Sequence, residues 1–367
     1  MIIGLPKEVK DNEYRVAMTP GAVSPLVSAG HRVLVESNAG KGSGFEDHEY
    51  EAVGSQVVPS AKEAWDAELV VKVKEPQPGE YGFMRLGQCL FTFLHLAANR
   101  ELTVAMMESG VTGIAYETVE HPEGNLPILT PMSEVAGRMS VQIGAQYLEK
   151  THGGRGKLLG GVPGVRPCDV TIIGAGVVGT NAAQMALGMG AHVMILDIDT
   201  ERLRFLEQVL TGRFTTLSSN PLNIAEAVKR ADLVIGAVLV KGAKAPCLVT
   251  RAMVRKMKPG SVVVDVSVDQ GGCIETTCAA THSDPVHVVE GVLHYGVTNI
   301  PGAVPRTSTY ALSNATLPYL LKLAAGDIPE VLREESALAS GVNIHRGKIT
   351  YEAVAGAFGM EYTPLKI

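Results

Sequence analysis

The chain has 367 residues, 46% of them apolar and 19% charged, with 40 glycines and a formal net charge of −6. Such a composition can build a sizeable core and excludes a disordered chain, a fibre and a disulfide-stapled miniprotein. No long basic run supports binding to nucleic acid, and at roughly 100–200 residues per domain the length predicts two domains.

Residues 2–5 (IIGL) read as a first strand, and residues 19–30 as a helix with Thr19 as cap and Pro20 in its first turn. Strand patterns follow at 31–37, 68–76, 88–96 and 110–119, with helical patterns at 61–67 and 99–110 between them. This strand–helix rhythm predicts a parallel, doubly wound sheet. A long helix is expected over 133–150, with Ser133 as its cap, and then a glycine-rich loop at 153–167. A second βαβ unit starts at CDVTIIGAGVVG (168–179) and continues through strands at 191–199, 231–239 and 261–269. Another long helix is expected over 308–326. The predicted class is α/β. Two doubly wound, mostly parallel Rossmann-like domains are joined by long helices, with the cofactor domain inserted in the chain of the catalytic domain. The expected bounds are 1–130 for the first part of the catalytic domain, 131–305 for the nucleotide domain, and 306–367 for the return.

The opening MIIGLPKEVK is charged too early for a signal peptide, and no apolar run approaches the ~18 residues of a membrane span. Five cysteines, at 89, 168, 247, 273 and 278, read as reduced thiols of a cytoplasmic protein. Cys273 and Cys278, with His282 nearby, leave a metal reading open. Buried or incidental thiols are the plainer reading, and no metal is expected.

The strongest chemical motif is IIGAGVVG, with Gly174, Gly176 and Gly179 spaced G-x-G-x-x-G. A strand precedes it, a helix follows, and the next strand ends at Asp197, about 20 residues on, as a dinucleotide fingerprint requires. Gly174 permits the tight turn, Gly176 lets a pyrophosphate approach the backbone, and Gly179 lets the helix pack on the sheet. Asp197 is placed to accept from the adenosine ribose and would repel a 2′-phosphate, which favours NAD over NADP. Asp199 is its structural alternative, as a cap or turn residue. Arg202 could contact adenine or ribose, or be a solvated helix residue.

Four further side chains sit at expected strand ends, where ligands bind in such sheets. Arg15 can hold a carboxylate with its fork or lie at the surface. Lys72 and Lys74 alternate on an apolar strand and need anions or solvent. His95 closes LFTFLHL as a proton shuttle or as a satisfied core histidine. Asp269 ends VVVDVSVDQGG, with Asp265 inside that strand as its rival, better suited to a structural hydrogen-bond network. Together Arg15, Lys74, His95 and Asp269 suit a small anionic substrate beside a nicotinamide.

The segments GLPKEVKDNEYRVAMTPGAV, KVKEP, LFTFLHLA, GAGVVGTNAAQMALGMGA, DQGG and NIPGAVPRTSTYALSNATLPY resemble the alanine dehydrogenase family along essentially the whole chain. The resemblance implies reversible, NAD-dependent deamination of L-alanine to pyruvate and ammonium. It implies that Arg15 and Lys74 bind the substrate and that His95 and Asp269 are catalytic. It places Ser133, Gly174, Gly176, Val177, Val178, Gly179, Asp197, Arg202, Ser219, Val238, Leu239, Val266, Asp269 and Asn299 at the cofactor. Many relatives have lysine where this chain has Arg202 and methionine where it has Ile300. A homo-oligomer, by resemblance a homohexamer, is also implied, while the charge balance and short apolar runs already lead us to expect no nucleic-acid or membrane partner. A transhydrogenase NAD(H)-binding subunit, which shares the early and middle motifs, and a non-catalytic nicotinamide sensor are the alternatives.

Overall fold

Strand β1 (Ile2–Leu5) is apolar and central, and parallel neighbours build outward from it on both sides. On one side lie β2 (Arg32–Glu36) and β3 (Gln56–Val58). On the other lie β4 (Leu69–Val71), β5 (Cys89–Thr92) and β6 (Thr112–Ala115). Every residue of β4, β5 and β6 is buried, as expected for parallel strands covered on both faces. The computed structural model describes residues 1–238 and 245–366. They fall into two units, Met1–Met132 with Val304–Ile367, and Ser133–Ala303. Both are Rossmann-like, with helices flanking a mostly parallel sheet, and long helices join them.

The sheet of the second unit starts with β7 (Asp169–Ile173), β8 (His192–Asp197), β9 (Phe214–Ser218), β10 (Leu233–Gly236) and β11 (Val262–Asp265), all parallel. A hairpin follows, β12 (Val286–Val289) and β13 (Val292–Tyr295), whose second strand pairs parallel to β11. The order is β12-β13-β11-β10-β7-β8-β9. Successive residues of β7 point to opposite faces. Val170 and Ile172 pack with Ala182, Ala183 and Ala186 of the helix Val177–Gly188. Ile173 packs with Ile224, Ala227 and Val228 of the helix Pro221–Arg230. After the return helix Pro305–Ala325, β14 (Val342–His345) and β15 (Lys348–Ile349) add antiparallel to the first sheet, giving β15-β14-β6-β5-β4-β1-β2-β3.

Thr19 caps the helix Pro20–Ser28, accepting from the Ala22 amide at 3.2 Å, with Pro20 at its start. Ser133 is not a cap: the helix runs over Leu129–Tyr147, and Pro131 sits in its first turn, where a missing N–H costs nothing. Several strands are shorter than their apolar patterns. β4 stops at Val71, β5 at Thr92 and β11 at Asp265, so Lys74, His95 and Asp269 lie on the turns beyond them. Just beyond β4 the backbone still bonds to β5, the Lys72 amide donating to the Phe91 carbonyl at 3.2 Å, while the Lys72 ammonium reaches Glu8 and Glu80, each 3.0 Å away.

Candidate active site

In the first unit the strand order reverses between β1 and β4, the topological position where α/β sheets bind ligands. The segment after β1 supplies Glu8, Glu13 and Arg15, and the segment after β4 supplies Lys72, Lys74 and Glu75. Lys72 is fully buried. Burial works against its charge, but Glu8 and Glu80 outweigh this and hold its proton more tightly than usual. Glu8 also accepts from the backbone amides of Val73 at 2.6 Å and Lys74 at 3.3 Å. One carboxylate thus pins the turn that carries Lys74.

The Lys74 ammonium lies 3.5 Å from Glu75. Burial alone would raise the Glu75 carboxyl, but Lys74, Lys10 and His95 hold it down at about 2. Lys74 and His95 therefore share one electrostatic neighbourhood. Arg15 is almost wholly buried. Its Nε and Nη2 donate to the two oxygens of Glu13 at 2.7 and 2.6 Å, and Nη1 reaches the Met132 sulfur at 3.3 Å. The return helix fixes this segment. Thr309 Oγ1 accepts from the Val16 amide at 3.2 Å, and Ser313 Oγ from the Thr19 amide at 3.1 Å.

His95 is exposed and has a left-handed backbone, φ 47°. Its ring stacks on Phe93, centroids 5.7 Å apart. Glu117 accepts from the His95 amide at 2.6 Å and lies 3.9 Å from Nδ1. A non-glycine residue in this conformation costs energy that its surroundings must supply, a pattern that clusters at functional sites.

In the second unit the order reverses between β7 and β10, and the glycine turn sits there. Gly174 has φ 103°, and a side chain on it would run into the Ala237 carbonyl; one on Gly179 would run into the Gly174 carbonyl. At Gly176 a Cβ would meet nothing within 4 Å, so the backbone is open to a close-lying ligand. The helix Val177–Gly188 starts there and turns its first amides outward. The two Asp197 oxygens accept from the amides of Ala175 at 2.6 Å and Asp199 at 2.8 Å. Each oxygen retains a lone pair for a ribose hydroxyl. An open glycine turn, a helix N-terminus and an acidic acceptor fit an NAD adenosine diphosphate.

Asp199 is a helix cap, accepting from the amides of Glu201 and Arg202. Arg202 donates to the Ala175 carbonyl at 2.8 Å and the Thr180 hydroxyl at 3.2 Å, and stacks over Phe205. It braces the glycine turn. Ser219 follows β9 and donates its amide to the Asp197 carbonyl at 2.8 Å. Val238 follows β10 and donates its amide to Ser267 Oγ at 3.1 Å. Leu239 lies outside the described residues. Val266 opens the turn Val266–Gln270, on which Asp269 is exposed. Asp265 is fully buried and accepts from the amides of Ser267, Cys273 and Ile274. Val177 and Val178 begin the helix after the glycine turn, Ser133 is half-buried in the helix Leu129–Tyr147, and Asn299 has φ 70°.

Sequence reasoning missed Glu8, Glu13, Glu75 and Glu117, which hold the cationic and imidazole groups. It also missed Ile198, an apolar side chain 83% exposed beside Asp197. Exposure of that kind cannot be read from an apolar strand end. Cys273 donates to Asp265 and Cys278 contacts His287. Among the described residues no three metal-binding side chains gather. No helix of the described residues is long and apolar enough to cross a membrane.

Residues 4–136 match the family description "Alanine dehydrogenase/PNT, N-terminal domain", and residues 140–352 match "Alanine dehydrogenase/PNT, C-terminal domain". The chain is 59% identical over 366 residues to an alanine dehydrogenase of Bacillus subtilis, covering 99% of this chain and 96% of the relative. It is 57% identical to an alanine dehydrogenase of Geobacillus stearothermophilus, covering 99% and 98%. A solved L-alanine dehydrogenase superposes with a TM-score of 0.94 at 55% identity, over 98% of this chain and 99% of the other. A transhydrogenase from Sinorhizobium meliloti superposes with a TM-score of 0.79 at 29% identity, over 96% of this chain and all of the other.

Proposed function

The chain belongs to the alanine dehydrogenase/PNT family, and from that premise we infer that it is an oxidoreductase catalysing the reversible, NAD-dependent oxidative deamination of L-alanine. L-alanine, NAD and water give pyruvate, ammonium, NADH and one proton. The observation that supports this reading from the residues is that Arg15 and Lys74, both buried, lie on the segments that follow β1 and β4, the strands between which the order reverses.

We propose these roles. Arg15 pairs with the substrate carboxylate through the guanidinium that Glu13 orients. Lys74 binds the same substrate and offsets the negative charge that develops on the carbinolamine oxygen. NAD, when bound, supplies the acceptor for the hydride of the alanine Cα. The Gly174–Gly179 turn and Asp197 would hold its adenosine diphosphate, with Ser133, Val177, Val178, Arg202, Ser219, Val238, Leu239, Val266 and Asn299 around the cofactor. His95 removes a proton from the water that attacks the substrate iminium. We assign this transfer to Nε2, because Nδ1 faces Glu117. Asp269 orients the water or ammonia.

A homo-oligomer, a hexamer by family likeness, is part of the same proposal. So is a cytoplasmic location, which the five free cysteines suit. The test of the site is His95→Ala. Turnover of alanine should fall severely while NADH binding, read by fluorescence, persists. Unchanged alanine oxidation would remove His95 from the mechanism. Light scattering after gel filtration reads the oligomer.

A further inference from the structure

Asp265 is a charged group fully enclosed at the end of β11, and the roles above make no use of it. Its Oδ1 accepts from the Ser267 amide at 3.0 Å and faces the Cys273 thiol at 3.6 Å. Its Oδ2 accepts from the amides of Cys273 at 3.0 Å and Ile274 at 3.2 Å. One carboxylate therefore ties together both ends of the segment 266–274, and Asp269 stands exposed near the middle of that segment. Ser267, held by Asp265, in turn accepts from the Val238 amide at 3.1 Å. The turn after β11 and the chain leaving β10 are thus fastened to each other through this side chain.

The pocket around the carboxylate is cut to its size. A Cβ on Gly236 or on Gly272 would stand 2.8 Å from an Asp265 oxygen. Gly271 and Gly272 both have positive φ, at 90° and 76°, which turns the backbone so that the two following amides aim at one oxygen. Burial pushes the carboxyl up to about 6, and the donors work against that rise. The fold retains an acid in an apolar setting for its acceptors, since a group that only filled space would be apolar.

We propose that Asp265 is a positioning residue for the reaction, fixing the turn that presents Asp269. This rests on reading Asp269 as the group that orients water or ammonia. An asparagine at 265 would keep one acceptor oxygen but aim an NH₂ at backbone N–H donors, so one end of the segment would come loose.

The test is a double-mutant cycle on turnover with Asp265→Asn, Asp269→Asn and the double variant, folding being checked by thermal melts. Asp265→Asn should lower kcat about tenfold with little change in the KM for alanine, and should cost nothing further once Asp269 is already replaced. A merely structural loss would multiply with that of Asp269→Asn, and this result, or full activity of Asp265→Asn, would overturn the proposal. If Asp269→Asn itself keeps full turnover, the role of Asp269 fails and the positioning role falls with it. Should Asp265→Asn not fold, Gly272→Ala presses on the same oxygen from outside and must show the same lack of added loss.

Discussion

Glu117 accepts from the backbone amide of His95 at 2.6 Å and from that of Leu94 at 3.2 Å. The two bonds hold His95 in its left-handed conformation, and the second Glu117 oxygen also reaches Leu94. A glutamine has one acceptor oxygen and would release part of this grip. Glu117→Gln should reduce kcat about tenfold and leave the KM for NAD unchanged, as seen for groups that orient a catalytic side chain. Steady-state kinetics with each substrate varied in turn separate the two parameters.

Glu13 meets Arg15 through both carboxylate oxygens. A lysine at 15 keeps the charge but not the fork, and a glutamine at 13 frees the guanidinium to turn. Arg15→Lys and Glu13→Gln should each raise the KM for alanine about tenfold to a hundredfold, without loss of NADH affinity. Initial rates and a binding titration decide this.

Asp197 closes the glycine turn through Ala175 and, on the proposed reading, the ribose as well. Asp197→Ala should weaken NAD about tenfold and narrow the preference over NADP, because the charge that repels a 2′-phosphate is gone. Isothermal titration with both nucleotides measures it. An unaltered ratio would separate Asp197 from cofactor choice.

The nucleotide fingerprint was legible because its signal is local: strand, glycines, helix and acid follow within one βαβ unit. The pairing of Lys72 with Glu8 and of His95 with Glu117 was not, because these partners are far apart in the chain. Lys72 meets Glu8, 64 residues away, and nothing in VVKVKEP distinguishes a lysine on a strand from one folded back onto buried carboxylates. The same blindness lengthened the strands. Apolar alternation continues past Val71 and Thr92, where the regular strands end, although the Lys72 and Phe93 amides still bond across the pair to the Phe91 and Val73 carbonyls. Asp265 was legible as a network residue, since an acid inside an apolar strand must find donors.

His294 is fully buried in β13. Its Nδ1 donates to the Val292 carbonyl at 2.9 Å, and its Nε2 accepts from the Thr276 hydroxyl at 2.7 Å. Burial lowers its pKa to about 4. The unfolded chain therefore takes up this proton first, and the stability contributed by neutral His294 is present above about 6.5 and lost as pH falls through 4. His294→Gln should flatten the pH dependence of unfolding in that window, by roughly 3 kcal/mol at most. Urea melts at several pH values read the slope; an identical slope in both proteins would contradict this.

The most direct test of the central claim is the product balance of the purified protein given L-alanine and NAD. NADH is followed by absorbance, and pyruvate and ammonium are assayed at the end point. The account predicts the three products in equal amounts, with no NADH formed when alanine is left out. Tight NADH binding with no turnover, or NADH formed without matching pyruvate and ammonium, would contradict it.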